Sequence, residues 1–217
     1  MKICVVAGHT MKGKGAGASK YINESTENRV VSKYVVDYLK KAGHEADYYE
    51  INEATDYLSK QVKFANAKSY DLVVQIHFNA GGGTGTETLY KTSSGKKYAE
   101  KVTNSLGKLY KQRGVKVRND LYWLNQTKAP AILVEVCFVD STTDTNIYNA
   151  NKAYTGKLIA EGIIGKEIVD KPVQTQTATK LYGVKVHAFS SKEKAQEFSN
   201  MLKEKHNAYS EVYELIQ

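Results

Sequence analysis

The chain has 217 residues, 41% of them hydrophobic, and a formal net charge of +8. That length suits one full domain plus a small second unit, and no stretch reaches the roughly 18–20 apolar residues that a bilayer-spanning helix needs, which excludes membrane insertion of that kind. The positive charge suits an anionic membrane, nucleic acid or an anionic wall polymer, but no zinc finger, RNA-binding signature or basic zipper supports nucleic acid.

Residues 171–217 hold seven Lys and five acidic residues, so +6 of the charge belongs to residues 1–170. Met1-Lys2 runs straight into Ile3-Cys4-Val5-Val6-Ala7, too short for a secretory signal. The expectation is therefore synthesis in the cytoplasm, with any action outside following release. Cys4 and Cys137 each sit in an apolar run and read as buried, reduced thiols.

In chain order, residues 2–7 read as a buried strand, followed by a glycine-rich loop from Gly8 to Ser19. A helix starts near Glu24. Val31, Val35 and Leu39 recur at helical spacing, and the Lys40-Lys41-Ala42-Gly43 segment stops it. Glu45–Ile51 alternates like a strand, and residues 54–68 read as helix. Asp71–Phe78 is a buried strand, Thr86–Lys91 another, and residues 96–113 an amphipathic helix with Val102, Leu106 and Leu109. Ala131–Val139 is the most apolar strand, and one or two helices fill residues 142–168. This alternation predicts an α/β fold: a mostly parallel sheet flanked by helices on both faces, with its site at the carboxyl ends of the strands. Asp170–Ala178 is polar and reads as a linker. Beyond it a small βαβ unit follows: strand Leu181–Ala188, helix Ser191–Lys205, strand Ala208–Leu215. The expected domains are thus 1–169, a linker 170–178, and 179–217.

His9 and His77 each end a buried strand, and Glu24 opens the first helix after the glycine loop. Two imidazoles and one carboxylate from three elements make a three-ligand site that suits Zn2+, which activates water and polarises a carbonyl. Glu135 lies inside Ile132-Leu133-Val134-Glu135-Val136, where an unpaired charge is costly. Desolvation there raises its pKa towards the range a general base needs. Taken singly, a strand-end histidine is commonly structural, and a glutamate at a helix start commonly serves the helix dipole. The four together, on the strand ends of one sheet, carry the reading. His44, His187 and His206 read as ordinary. A rival reading is a P-loop at Gly8–Lys14, but Gly15 stands where the hydroxyl belongs, and the helix begins nearly ten residues too late.

Read together, these segments resemble the catalytic domain of the zinc-dependent N-acetylmuramoyl-L-alanine amidases of bacterial autolysins and phage endolysins. The resemblance rests on Val5-Val6-Ala7-Gly8-His9, on the spacing of Glu24 and Gly43, on Ala65-Asn66 and Asp71-Leu72, and on Gln75-Ile76-His77-Phe78-Asn79-Ala80. It also rests on Gly85-Thr86-Glu87-Thr88-Leu89-Tyr90 and on Pro130-Ala131-Ile132-Leu133-Val134-Glu135-Val136-Cys137-Phe138. The His9-Thr10-Met11-Lys12-Gly13 loop and Gln75 depart from the family pattern. The resemblance favours Glu24 over Glu27 as ligand. It implies one zinc per chain held by His9, Glu24 and His77, with Glu135 moving the proton as the amide between N-acetylmuramic acid and L-alanine is hydrolysed. It implies peptidoglycan as partner, in an endolysin or mother-cell lytic enzyme. A zinc peptidase would share the metal, and a non-enzymatic wall-binding protein would not need Glu135. Residues 181–191 resemble the first strand of a SPOR-type glycan-binding repeat, of which one half is present here. A homodimer pairing two halves is the expectation that follows.

Overall fold

The structure, a computed structural model, describes residues 1–169 and 190–206. The chain divides into two compact units, Met1–Val169 and Asp170–Gln217. In the first, β1 (Lys2–Ala7), α1 (Glu24–Lys41), β2 (Glu45–Tyr49), α2 (Tyr57–Ala65), β3 (Leu72–Asn79) and β4 (Thr86–Tyr90) come in turn. There follow α3 (Ser93–Leu106), β5 (Gln112–Val117), α4 (Tyr122–Gln126), β6 (Ala131–Phe138), α5 (Thr142–Ala150) and α6 (Lys152–Ile164). The six strands form one sheet in the order β2-β1-β3-β6-β4-β5. Every neighbouring pair is parallel except β4 with β6, which is antiparallel.

The central strands are apolar on both faces because both faces are covered. One face packs Ile3, Val5, Val74, Ile132 and Val134 against Val31 and Val35 of α1, Val102 and Leu106 of α3, and Leu158 and Ile159 of α6. The other packs Cys4, Val6, Val73, Leu89 and Leu133 against Val62 and Ala65 of α2 and Trp123 and Leu124 of α4. Each fully buried side chain of this size contributes about 1.5–3 kcal/mol. Both cysteines are buried and free, on opposite faces, and burial pushes the Cys4 thiol up to about 12.

Local signals set the element ends. Asn23 caps α1 by accepting from the Thr26 N–H, Lys40 and Lys41 fill its last turn, and Gly43 takes the left-handed φ of 82° that turns the chain into β2. Glycine also sets helix spacing. A Cβ at Gly156 of α6 would lie 2.4 Å from the Tyr34 Cβ of α1, and one at Gly162 would lie 2.5 Å from the Val102 Cα of α3. Helix α6 therefore sits closer to its two neighbours than any other residue there would permit.

The structure amends the expected elements in three places. The helix expected over 96–113 ends at Leu106, and Gln112–Val117 is instead the edge strand β5. Its residues are mostly exposed and polar, and Gly114 at φ 81° interrupts the alternation by which strands are recognised. The short helix α4 has too few residues to show a helical period, yet Trp123 anchors it by donating from Nε1 to the Ile132 carbonyl. Helix α2 is shorter than the expected 54–68 span.

In the second unit, α7 (Lys192–His206) is described, with the Ser191 hydroxyl accepting from the Lys194 N–H. The expected linker, the strands Leu181–Ala188 and Ala208–Leu215, and the proposed pairing of two chains lie outside the described residues. Among the described residues no helix is long and apolar enough to cross a membrane.

Candidate metal centre and active site

His9 lies one residue beyond β1, after Gly8, and takes φ 60°, a left-handed conformation uncommon for a non-glycine residue. This conformation turns the ring back over the sheet end. A turn of 3-10 helix at Gly13–Gly15 presents the Gly15 carbonyl 2.9 Å from His9 Nδ1. That carbonyl accepts a hydrogen from Nδ1, so in the neutral ring Nε2 carries the free lone pair, and in the protonated ring its N–H faces Glu24. His9 Nε2 lies 3.2 Å from Glu24 Oε1, and His77 Nδ1 lies 3.0 Å from the same oxygen. Glu24 opens α1 and is buried. Its Oε1 also accepts from the Phe78 N–H and its Oε2 from the Ala18 N–H.

The cradle is glycine-dependent. A Cβ at Gly8 would lie 2.3 Å from His77 Nε2, and one at Gly17 would lie 2.6 Å from Glu24 Oε2. One donor atom from each of His9, Glu24 and His77 lies within 4.8 Å of the other two. Burial opposes the charge on Glu24, but the hydrogen bonds from His77 and His9 outweigh it and hold the carboxyl far below its ordinary range. Burial pushes His77 down. It also works against the charge on His9, where the Glu24 hydrogen bond prevails and the net shift is upward. Two oriented imidazoles around an ionised carboxylate form a donor set that suits a divalent cation, zinc in particular.

Glu135 lies on β6 directly opposite His77 on β3 and opposite Glu87 on β4. Directly paired residues share a face, so the three side chains form one row across the sheet. Glu135 Oε2 is buried and has no hydrogen-bond partner. Burial, then the charges of Glu24 and Glu87, push its pKa up to about 8. The four residues expected from the sequence are thus brought together.

Other members of the site were not singled out by their sequence. Glu87 Oε1 accepts from Asn79 Nδ2 at 3.0 Å, and its Oε2 takes Arg113 Nε at 2.9 Å and Lys116 Nζ at 2.5 Å. Burial opposes ionisation of Glu87, but these two cations of β5 outweigh it and lower its pKa. Arg113 also lies over the Phe138 ring, 4.9 Å from its centroid. Asp140 Oδ2 accepts from the Gly81 and Gly82 N–H groups, fastening the glycine loop that follows β3. The Tyr57 ring lies against Gly15, where a Cβ would be 2.6 Å from its Cε1, and burial followed by the Glu24 charge raises its phenol. Glu87 stood within a recognised motif. The others carried no signal of their own, because their partners are set by strand register. Gln75, one departure from the family pattern, donates to Gln61 Oε1, while Gln61 donates to the Ala7 carbonyl, tying α2 to β1 and β3 behind the site.

A mostly parallel α/β sheet with a His-Glu-His cluster and a desolvated glutamate where its central strands end is an arrangement suited to hydrolysis. A profile of the N-acetylmuramoyl-L-alanine amidases matches residues 3–165, and the chain belongs to that family. The catalytic domain of the CD27L endolysin targeting Clostridia difficile is 32% identical, with a TM-score of 0.73 over 78% of this chain and 99% of that one. The catalytic domain of CwlV, an N-acetylmuramoyl-L-alanine amidase from Bacillus (Paenibacillus) polymyxa, is 26% identical, with a TM-score of 0.66 over 76% and 97%. An uncharacterized protein of Clostridium perfringens strain 13 is 40% identical over 181 residues, covering 77% of this chain and 53% of the relative. The chain spans about half the length of that relative and of a second C. perfringens protein.

Proposed function

We propose that this chain hydrolyses the amide joining the lactyl group of N-acetylmuramic acid to L-alanine of the peptidoglycan stem. The observation that carries the reading is the placement of Glu135, whose Oε2 is buried without a hydrogen-bond partner, opposite His77 and beside the His9–Glu24–His77 cluster. A zinc ion held by those three residues would supply a Lewis acid that activates water and polarises the amide carbonyl. His9 offers Nε2 because Gly15 occupies Nδ1. Glu24 stays ionised because both imidazoles and two backbone N–H groups surround it. With a proton affinity near neutrality, Glu135 Oε2 takes a proton from the attacking water and returns it to the departing amine nitrogen. A C–O bond forms, the C–N bond breaks, and the products are a lactyl carboxylate and an L-alanine amino terminus.

The test is zinc content and lysis of purified walls on one preparation, comparing wild type with His77→Ala and Glu135→Ala. We expect about one zinc per wild-type chain and release of L-alanine amino groups. His77→Ala should lose the metal, and Glu135→Ala should keep the metal but lose lysis. A wild type without zinc, or lysis surviving in both variants, would overturn the mechanism. Product analysis separates this reading from a zinc peptidase, which would release other amino termini.

We propose further that the chain works as an endolysin or mother-cell lytic enzyme, reaching the wall after release from the cytoplasm. The likeness to an endolysin catalytic domain supports this setting. Residues 179–217 are proposed to bind glycan on the strength of their sequence resemblance. Deleting 170–217 should then weaken sedimentation with walls more than turnover of a soluble muropeptide.

A further inference from the structure

Beside the centre lies a basic group whose geometry the proposed hydrolysis does not use. Arg113 and Lys116, both on edge strand β5, converge on one carboxylate oxygen of Glu87. Two cations on one anion leave a surplus positive charge. Glu87 is buried, whereas the Arg113 side chain is 33% exposed and that of Lys116 is 46% exposed. The surplus therefore faces solvent along the same row of strands as Glu135.

Arg113 is also pre-aimed. Its Nε is held by Glu87 and its Cζ lies over the Phe138 ring. Phe138 is packed in turn against Gly83, where a Cβ would lie 2.4 Å from the ring. Among the described residues Arg113 makes no other hydrogen bond, so its two terminal nitrogens form an oriented pair of donors. That fork matches a carboxylate better than a point charge does.

The sheet supplies a ruler. Neighbouring strands lie about 4.8 Å apart, so β5 is roughly 10 Å from β6 and Glu135. An extended peptide advances about 3.5 Å per residue. The Arg113 side chain reaches back over β4 to Glu87 and to the Phe138 ring of β6, so a group bound there would sit within about two residues of an amide positioned at Glu135.

We infer that the Arg113–Glu87–Lys116 group is a specificity subsite that binds a free carboxylate of the stem peptide within about two residues of the scissile amide. Arg113 is the contacting residue, and Glu87 and Lys116 are positioning residues that hold it. This inference rests on the amidase reading, and its test separates the two.

The measurement compares two soluble muropeptides that share the N-acetylmuramoyl-L-alanine bond. One carries a free carboxylate on the residue after L-alanine, and the other a carboxamide there. Wild type should favour the carboxylate form by about tenfold or more in kcat/KM, as expected for charge-assisted hydrogen bonds, with the difference mainly in KM. Added salt should narrow the gap. In Arg113→Gln the ratio should fall to within about twofold. Arg113→Lys, which keeps the charge and the Glu87 pairing but not the fork, should give an intermediate ratio and guards against misfolding as the cause. Equal cleavage of both substrates by wild type would overturn the subsite and leave the amidase reading standing. So would a preference that survives in Arg113→Gln. Cleavage of neither substrate by zinc-loaded protein would overturn both.

Discussion

Replacing Glu135 with glutamine should stabilise the metal-free protein at alkaline pH and not at acid pH. In the fold, burial and the charges of Glu24 and Glu87 raise the Glu135 carboxyl from an ordinary 4.5 to about 8. In the unfolded chain it returns to its ordinary value. Between pH 4.5 and 8, therefore, the folded state holds a proton that the unfolded state has released. By linkage, stability falls as pH rises through that window, and above about pH 8 the whole penalty is present. At about 1.4 kcal/mol per pH unit the ceiling is about 5 kcal/mol. Relaxation and water entry reduce it, and on the order of 2–3 kcal/mol is a working figure. Glutamine carries no charge at any pH. Its amide leaves unpaired polar atoms of its own, but that cost does not change with pH, so the slope is the readout. For a domain of this size about 1 kcal/mol moves Tm by 2–4 °C. The Tm of Glu135→Gln minus that of wild type, measured in chelator by thermal melts, should then grow by roughly 5–10 °C between pH 4.5 and pH 9. Saturating zinc should pull the rise to lower pH, because a dication beside Glu135 favours its ionised form. Parallel Tm curves across the whole range would show that Glu135 is solvated, and the argument for it as a neutral-pH proton carrier would fall.

Three further substitutions test the scaffold. Gly8→Ala places a methyl 2.3 Å from His77 Nε2. It should displace that ring and weaken zinc binding by about 100-fold in equilibrium dialysis, within the range of ligand-orienting changes, while far-ultraviolet circular dichroism stays the same. Gly156→Ala drives a Cβ to 2.4 Å from Tyr34, so urea unfolding should show a loss of about 1–3 kcal/mol, the usual cost of overpacking. Gln61→Leu removes the donor to the Ala7 carbonyl and the acceptor for Gln75 in a fully buried position. That leaves two orphaned groups, for which we expect a loss of about 2–4 kcal/mol. A neutral result would mean that water replaces the amide.

What the sequence makes legible follows from where the information is stored. Strands β1, β3 and β6 announce themselves because burial on both faces demands unbroken apolar runs, and α1 because its stripe, cap and stop agree. His9, His77 and Glu24 can be read because a polar side chain at a strand end or helix start has few other positions. Glu135 stands out as a charge in an apolar strand. Strand β5 lacks such a mark. Gln112, Arg113, Lys116 and Val117 are exposed, and Gly114 breaks the alternation. The tie between Glu87 and Arg113 is stored in the β4–β5 register, which shifts between Thr86 and Thr88, and no local pattern encodes that shift.

The strand directions explain why those unread residues belong to the site at all. In an all-parallel sheet, the carboxyl ends of the strands carry the site and their early residues lie at the far end. Here β4 runs against β6, pairing Glu87 with Glu135 and Tyr90 with Ile132, and β5 runs with β4. The beginnings of β4 and β5, Glu87 and Arg113 among them, are thereby brought to the end where β1, β3 and β6 finish. One reversal of direction extends the row of β1, β3 and β6 to five strands, from His9 through His77, Glu135 and Glu87 to Arg113. Along that row lie two imidazoles at one end, a desolvated carboxyl in the middle, and two cations on the Glu87 carboxylate at the other. On the proposed reading, the scissile amide would lie at the middle of this row and the stem carboxylate at its Arg113 end.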